Sequence, residues 1–374
     1  MSIYLDYNAT APVRPEAAAA VARALASAGN PSSVHAAGRA ARVLVEDARA
    51  EVAELAGVKV GSIVFTSGGT EANALAIESA KAAGFTRIIV SAVEHDAVIE
   101  NANASGLCVE VLPVDGEGVA DLVWLAEALG RDGRALVCLM LANNETGVIQ
   151  PVAEASALVR AADGWLHVDA VQAAGKIAID FTALGADTLA LSAHKLGGMQ
   201  GVGALAAGPR ATLARRLHGG GQERGRRAGT ENVPGIAAFG VAAKAARGGL
   251  DVMAGQAEWR DGLAARVVEA GGVVLGAGAE RLPQTLAFAG PGYSSELQVM
   301  GLDLAGIMVS AGSACSSGKV KASRVAQAMG RDDLAPYALR VSGGWASTEA
   351  DWIACGDAWV AAYERHTARR REVA

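Results

Sequence analysis

The stretch Asp187-Thr188-Leu189-Ala190-Leu191-Ser192-Ala193-His194-Lys195-Leu196-Gly197-Gly198 decides the fold class of this chain. Residues 188–191 are typical of a buried strand, and Lys195 follows that strand directly before a glycine-rich turn. The next apolar run, residues 202–206, comes too soon for a crossover helix, so we expect an antiparallel pairing of the two strands. A lysine at a strand end beside flexible backbone is well placed to meet a ligand.

Strand-like and helix-like segments alternate on both sides of this stretch, from Ser62 to about Ala207. Apolar strands joined by helices predict a mostly parallel, mixed α/β sheet flanked by helices, with a ligand site at the carboxyl ends of the strands. From about residue 250 the pattern changes to helix, short strands and helix. We therefore predict a large domain over 16–249 and a smaller α+β domain formed by 1–15 and 250–374. The predicted strands are 63–65, 87–90, 109–112, 135–141, 165–168, 188–191, 202–206, 285–289 and 307–309.

Composition narrows the classes of function. The 374 residues are 51% hydrophobic, 4% aromatic and 19% charged, with a net charge of −6, which argues against a nucleic-acid partner. We find no apolar run of the roughly 18 residues that a membrane span needs and no signal peptide at the amino terminus, so we expect a cytoplasmic protein. The four cysteines are widely spaced, which favours neither disulfides nor a metal site.

Lys195 has a possible partner in Asp169, which ends the apolar run Trp165–Asp169, 26 positions earlier in the chain. A pyridoxal-phosphate enzyme needs an amine for its Schiff base and a carboxylate opposite the pyridinium nitrogen. The alternatives are a solvated surface lysine and an aspartate that caps a helix. Gln172 stands three residues after Asp169, where a helical turn would direct both side chains to one side.

Four further stretches admit both a binding and a structural interpretation. Thr66–Asn73 lies between a strand and a helix, where it would either hold a phosphate or form an ordinary capping box. His95 is either a proton carrier stacked on a ring or a solvated loop residue, and His194 either contacts phosphate or packs in the interior. Asn143–Gly147 either binds a substrate group or is an asparagine-rich turn.

Two glycine-containing loops and one arginine complete the candidates. Gly219–Thr230 combines glycine with arginine, and without aromatic residues it favours the shaping of an anionic site over RNA binding. Cys315 is the candidate nucleophile, because it lies in a small, polar setting with Lys319 and Lys321 nearby. The other three cysteines have apolar or helical neighbours and are predicted to be inert. Arg340 is either a carboxylate ligand or a structural arginine.

Taken in order, these stretches resemble the cysteine desulfurases, fold-type I relatives of the class V aminotransferases that supply sulfur for iron-sulfur clusters. The resemblance covers nearly the whole chain and implies a pyridoxal-phosphate transferase that converts L-cysteine to L-alanine. It rests on residues 4–10, 29–35, 66–73, 94–95, 143–147, 169–172, 192–195, 219–230, 313–315 and 340–342.

The resemblance implies a role for each candidate. Lys195 would carry the Schiff base, Asp169 would face the ring nitrogen and Gln172 the ring oxygen, while His95 would stack on the ring and assist proton transfer. Cys315 would accept the sulfur as a persulfide. The cofactor phosphate would be held by Gly69, Thr70, Ser192 and His194, with Thr230 from the neighbouring subunit of a homodimer. The substrate would be positioned by Asn144, Arg340 and Asn30.

Several functional questions stay open at this point. A selenocysteine lyase or another class V pyridoxal-phosphate lyase is the nearest alternative, and a non-catalytic sulfur-carrier or assembly subunit is a remote one. The implied partner is a sulfur acceptor such as an iron-sulfur scaffold, with which Cys315 would make a transient iron-sulfur contact. The sequence does not identify the acceptor.

Overall fold

The structure is a computed structural model that describes residues 2–27, 29–312 and 322–373. The helices are α1 (Pro15–Leu25), α2 (Ala36–Ala56), α3 (Gly69–Ala82), α4 (Asp96–Ala104), α5 (Leu122–Leu129), α6 (Val152–Ala161), α7 (Phe181–Leu184), α8 (Val233–Gly248), α9 (Leu250–Glu269), α10 (Ser295–Leu304), α11 (Arg324–Ala328) and α12 (Glu349–Val373). Within the described residues, no helix combines the length and the apolar character needed to cross a membrane.

The strands are β1 (Ile3–Tyr4), β2 (Ile63–Thr66), β3 (Arg87–Ser91), β4 (Cys108–Leu112), β5 (Ala135–Cys138), β6 (Trp165–Asp169), β7 (Thr188–Ser192), β8 (Gly203–Ala207), β9 (Val273–Val274), β10 (Thr285–Ala289), β11 (Ile307–Met308), β12 (Ser310–Ala311) and β13 (Ala338–Ser342). The predicted strand 135–141 is too long, because β5 ends at Cys138. Beyond it, the amides of Leu139 and Leu141 still donate to carbonyls of β6.

A seven-stranded sheet in the order β2-β8-β7-β6-β5-β3-β4 forms the larger part of the molecule. Strands β7, β6, β5, β3 and β4 run parallel to one another, whereas β8 is antiparallel to both β7 and β2. The register pairs Ser192 with Gly203 across β7 and β8. This confirms the predicted mixed sheet and its antiparallel pair, and it brings the carboxyl ends of β6 and β7 side by side.

Helix α2 shows how the sequence determines the packing around this sheet. Ala41, Val45, Ala48 and Val52 recur at helical spacing and are all buried. At the end of the helix, Gly57 adopts a left-handed conformation with a φ of 66°, which a glycine accepts without steric cost. The result is a tightly packed helix layer over the sheet.

A second, antiparallel sheet in the order β12-β13-β10-β9 lies in the carboxyl-terminal part of the chain. It has its own apolar cluster, in which Phe288 packs edge-on against Trp359 with ring centroids 5.0 Å apart. The amino terminus joins this part of the molecule through the parallel pairing of β1 with β11 and the bridge between Asp6 and Ser342. The exact division into two domains stays a prediction.

Candidate active site

Two adjoining cavities lie at the carboxyl ends of the parallel strands. The small cavity has a volume of about 250 Å³ and the large cavity about 720 Å³. Both are lined by His95, Asn144, Gln172 and Lys195, so the two spaces meet at these side chains. A cavity at this edge of the sheet is where an α/β fold of this kind binds its ligands.

Lys195 ends a short 3-10 turn that follows β7. Its ammonium group donates to the backbone carbonyls of Asn8 and Ala9, the latter at 2.8 Å. Burial lowers the pKa of Lys195 from 10.5 to about 8, and the nearby charge of Arg340 acts in the same direction. The amine is therefore partly neutral near physiological pH, which a nucleophilic lysine requires.

Asp169 is the last residue of β6 and is buried. Its Oδ1 accepts a hydrogen bond from the backbone of Val171 at 2.9 Å, and its Oδ2 accepts one from the Asn73 amide at 2.8 Å. No helix begins directly after Asp169 in the described residues, so the helix-cap alternative is wrong; its Oδ1 instead caps the turn that follows β6. A carboxylate has about four lone-pair sites, so Asp169 can still accept a further donor from the small cavity that it lines.

The amino-terminal end of α3 opens into the same cavity. The residue before the helix is Gly68, which has no side chain to cap the first N–H groups, so they remain available to an anion. Glu71 accepts a bond from the backbone of Ser67 at 2.8 Å, which is half of the predicted capping box. A Cβ on Gly69 would lie only 2.9 Å from Val171 Cγ2, so the approach to this helix end depends on glycine.

His194 lies beside Thr10, whose hydroxyl is 3.1 Å from His194 Nδ1. Burial, together with the positive charges of Lys195 and Lys176, lowers the pKa of His194 to about 4. The imidazole is therefore neutral at physiological pH. A neutral ring N–H in the small cavity can donate to an anionic ligand without adding a charge.

His95 caps the start of α4, where its Nδ1 accepts a hydrogen bond from the Ala97 amide at 3.0 Å. In the neutral ring the proton must then be on Nε2, and the exposed ring lines both cavities. Gln172 donates through Nε2 to the Asn8 carbonyl at 3.0 Å. Its Oε1 is buried without a hydrogen-bond partner among the described residues, as expected where a ligand group completes a site.

Arg340 reaches the large cavity from β13 and is 5% exposed. One Nη donates to the carboxylate of Asp6 at 2.7 Å and the other to the carbonyl of Asn144 at 3.0 Å. Its Nε is buried without a partner in the described part of the chain. A guanidinium held in this way presents donors in a fixed plane, the arrangement that suits recognition of a carboxylate.

The structure brings together most of the predicted site residues. Gly69, Thr70, His95, Asn144, Asp169, Gln172, Ser192, His194 and Lys195 line the small cavity, and Arg340 lines the large one.

Two predicted site residues lie elsewhere, and a third falls outside the described residues. Asn30 is exposed and accepts a hydrogen bond from the Ser32 amide at 2.9 Å, and Thr230 lines a separate cavity of about 180 Å³. Cys315 falls outside the described residues, although Gly312 and Ala322, the described residues that flank its segment, both line the large cavity.

Of the other cysteines, Cys138 and Cys355 are buried as predicted for inert residues, whereas Cys108 is exposed.

Sequence reasoning missed several residues of the site. Asn8 connects both parts of the molecule, because its side chain donates to Thr285 at 2.9 Å and to the Asn144 carbonyl at 3.1 Å. Glu94 lines the large cavity although it is almost fully buried, and burial raises its pKa well above the usual value. Lys176 is also buried and donates to the Lys195 carbonyl at 2.9 Å. The only signs in the sequence were the position of Glu94 next to His95 and the place of Asn8 in the stretch 4–10 that carries the family resemblance.

Comparisons with known proteins agree with this geometry. Residues 3–352 match the aminotransferase class-V family. A cysteine desulfurase from Cereibacter sphaeroides is 44% identical over 87% of this chain and 86% of its own length. The X-ray structure of a NifS-like protein from Rickettsia africae superposes with a TM-score of 0.89 at 32% identity, covering 97% of this chain and all of that one. SspA in complex with cysteine gives a TM-score of 0.78 at 27% identity, covering 91% and 98% of the two chains. The chain therefore belongs to the aminotransferase class-V family of pyridoxal-phosphate-dependent enzymes and, within it, to the cysteine desulfurases.

Proposed function

We propose that this protein converts L-cysteine to L-alanine with pyridoxal phosphate held in the small cavity and passes the sulfur on as a persulfide of Cys315. The observation that carries the proposal is the joint position of Lys195, Asp169 and the amino-terminal end of α3 around one cavity. An amine, a carboxylate and an anion site in that arrangement match the three ends of the cofactor. The structure of a relative, SspA, with cysteine supports the choice of substrate.

The residues present fit the cofactor. Its phosphate would be held by the first N–H groups of α3 with Thr70, Ser192 and His194, its ring nitrogen would face Asp169, and its ring oxygen would meet Gln172. The tight space at Gly69 is a feature that such an occupant explains. When bound, pyridoxal phosphate withdraws electrons from the α-carbon of an attached amino acid and so makes the α-proton acidic.

Lys195 supplies both the attachment point and a proton carrier. Its Nζ is already partly neutral because burial and Arg340 lower its pKa to about 8. With the cofactor and substrate bound, Lys195 Nζ would be the group that removes the α-proton of the substrate. The carbonyls of Asn8 and Ala9 hold the amine at this position, so little reorientation is needed before the transfer.

His95 provides a second proton site in the wall of the shared space. Because Nδ1 is occupied by the Ala97 amide, Nε2 is the atom that can exchange a proton with the substrate or with the substrate thiol. The ring also forms part of the wall of the small cavity, where it can stack on a planar ligand.

Arg340 and Asn144 would hold the substrate carboxylate in the large cavity. Asp6 and the Asn144 carbonyl each take one N–H of the two Nη atoms, so the substrate would use the remaining N–H groups of Arg340. The negative charge of Asp6 also fixes the plane of the guanidinium before the substrate arrives. This pre-orientation lowers the entropic cost of binding.

Cys315 would then act as the nucleophile. Its thiolate attacks the substrate sulfur, a sulfur-sulfur bond forms, and the electron pair of the broken carbon-sulfur bond stays with the three-carbon fragment. That fragment takes up protons at the β- and α-carbons and leaves as alanine. Cysteine and one enzyme thiol thus give alanine and one enzyme persulfide, with no external oxidant or reductant.

The remaining assignments concern the assembly. We propose that the chain forms a large domain over 16–249 and a small domain over 1–15 and 250–374. The small domain would carry the Cys315 segment. Thr230 lines a separate cavity in the single chain, and in the proposed homodimer it would reach the phosphate in the neighbouring subunit's site. Asn30, which is exposed, would help to position the substrate. A sulfur-acceptor protein such as an iron-sulfur scaffold would take the persulfide sulfur.

The experiment that tests this function compares wild-type enzyme with Cys315→Ala on L-cysteine and on L-selenocysteine. We expect the variant to bind pyridoxal phosphate normally but to form no alanine from cysteine, because the sulfur has no acceptor. Unchanged alanine release from cysteine by the variant would refute the proposal. Activity confined to selenocysteine would identify a selenocysteine lyase, and a protein that does not bind the cofactor would point to a non-catalytic carrier.

A further inference from the structure

A continuous line of buried hydrogen bonds leads to Asp169, and the proposed function does not use it. One member of this line, Asn73, also lines the small cavity. His167 Nδ1 is 2.8 Å from the hydroxyl of Thr188, and His167 Nε2 is 2.9 Å from Asn73 Oδ1. The other end of the Asn73 amide donates to Asp169 Oδ2 at 2.8 Å. His167 has no exposed surface, and Thr188 and Asn73 are also buried. We name these three residues the Asp169 relay.

The direction of each bond in the relay follows from the chemistry of its members. An ionised carboxylate only accepts, so Asn73 must present its NH₂ group to Asp169 and its carbonyl oxygen to His167. His167 must then carry a proton on Nε2 to donate to that oxygen. Its Nδ1 is left to accept the hydroxyl proton of Thr188. Every donor in the line therefore points toward Asp169.

The state of His167 agrees with this assignment. Burial lowers its pKa to about 4, so the ring is neutral and one nitrogen must be an acceptor, as the relay requires. A cationic ring would place two donors in the line and leave Thr188 Oγ1 as an acceptor. The neutral ring instead keeps a single, uniform direction.

The relay also connects β6, which carries Asp169, with α3, whose first residues line the small cavity. His167 and Asp169 belong to β6, Thr188 to β7 and Asn73 to the second turn of α3. The first residues of α3 form the predicted phosphate end of the cavity. The backbone of Val171 holds the second carboxylate oxygen. Both oxygens of Asp169 are thereby fixed, and so is their position relative to the amino-terminal end of α3.

We propose that His167, Asn73 and Thr188 are positioning residues that fix the plane and the acceptor direction of the Asp169 carboxylate toward the cofactor ring. This inference rests on the proposed function, because it takes Asp169 as the partner of the ring nitrogen. The relay residues are not catalytic in themselves. They act on the reaction through Asp169.

The first test does not depend on the cofactor or on activity. In protein with ¹⁵N-labelled histidine, the resonances of His167 are assigned by their loss in His167→Gln, and the ring nitrogens report the tautomer. We expect a neutral ring with its proton on Nε2 at every pH from about 6 to 8. A proton on Nδ1, or a ring that becomes cationic in this range, would overturn the relay.

The second test measures what the relay does for the enzyme. Asn73→Leu keeps the volume but removes both polar ends, and we expect a loss of about 10- to 100-fold in kcat/KM, the range seen when groups that orient a ligand-binding residue are removed. The loss should lie in kcat, with an altered pH dependence of the visible absorption of the holoenzyme. Thr188→Val should show a smaller effect and Thr188→Ser should restore wild-type behaviour.

Ser79→Ala is the matched control. Ser79 lies on the same helix as Asn73, is fully buried and makes hydrogen bonds to Leu75 and Ala214, away from the relay. A general loss of stability would affect this variant as well, whereas a positioning role affects only the relay. Wild-type kcat and pH profile in Asn73→Leu would refute the inference. If wild-type enzyme did not act on cysteine, the proposed function would fail while the tautomer measurement still decided the relay.

Discussion

Lys195 is expected to react near neutral pH far faster than an ordinary lysine. Its pKa of about 8, against 10.5 for an unperturbed lysine, reflects burial first and the charge of Arg340 second. At pH 7.5 a pKa of about 8 leaves about a quarter of the amine neutral, whereas a pKa of 10.5 leaves about 0.1%, a difference of roughly 200-fold. The reactive fraction should therefore rise steeply up to about pH 8 and then level off.

The assay is competitive acetylation of the cofactor-free protein with a trace of acetic anhydride, followed by mass spectrometry of the lysine peptides. Lys195 lines both cavities, so the small reagent can reach it, and the exposed Lys59 serves as the reference. Two variants test how neighbouring charges shift the pKa of Lys195. Arg340→Met should raise the pKa of Lys195, because a nearby positive charge is lost, and Asp169→Asn should lower it further.

A Lys195 that acetylates with an apparent pKa near 10.5 would refute the reasoning, because burial would then not destabilise the charged amine. An unchanged pKa in Arg340→Met would leave burial as the whole cause and would contradict the assigned effect of Arg340. Either result would also weaken the case for Lys195 as the nucleophile that is ready at neutral pH.

The remaining predictions concern three arginines. Arg340→Lys should raise the KM for cysteine about 10-fold or more, with a smaller change in kcat, as measured by steady-state kinetics. The reason is that an ammonium group cannot keep the hydrogen bonds to Asp6 and Asn144 and also bind a carboxylate through two parallel hydrogen bonds. Arg49→Met should lower the free energy of unfolding by about 3–5 kcal/mol, because it leaves Glu223 buried without its 2.7 Å ion pair. The control is Glu46→Ala, which removes the exposed partner of Arg49 and should lower the free energy of unfolding by less than about 1 kcal/mol. Urea titration measures both. Arg324→Gln should lower kcat several-fold without weakening cofactor binding, because Arg324 contacts the Glu94 carbonyl and the Asp96 carboxylate on either side of His95; unchanged kcat would show that these contacts do not position the ring.

The sequence predicts the sheet and one end of the site well, for a physical reason. Strands buried on both faces are continuous apolar runs, and the polar residues that end them must lie at one edge of a parallel sheet. The proximity of Asp169, Ser192 and Lys195 therefore follows from the strand pattern alone. The short loop before β8 similarly required the antiparallel pair.

Contacts between distant segments could not be predicted in this way. Asn8 contacts Thr285, which is 277 positions away in the sequence, and Arg49 contacts Glu223, which is 174 positions away. No local periodicity encodes such a pairing.

The burial of two polar residues was also not predictable. Glu94 lies in a turn, where a charged residue is expected to be solvated, yet it is buried. His167 was hidden within an apolar strand. Its polar partners, Thr188 and Asn73, belong to a neighbouring strand and a helix that only the fold brings together.

A single turnover of the holoenzyme with L-cysteine in the absence of reductant tests whether Cys315 takes the sulfur. Alanine is quantified, and the persulfide is trapped by alkylation and located by mass spectrometry. We predict one alanine per active site and an equal amount of persulfide on Cys315. Alanine formed without a persulfide on Cys315, or a persulfide on another cysteine such as the exposed Cys108, would contradict the account.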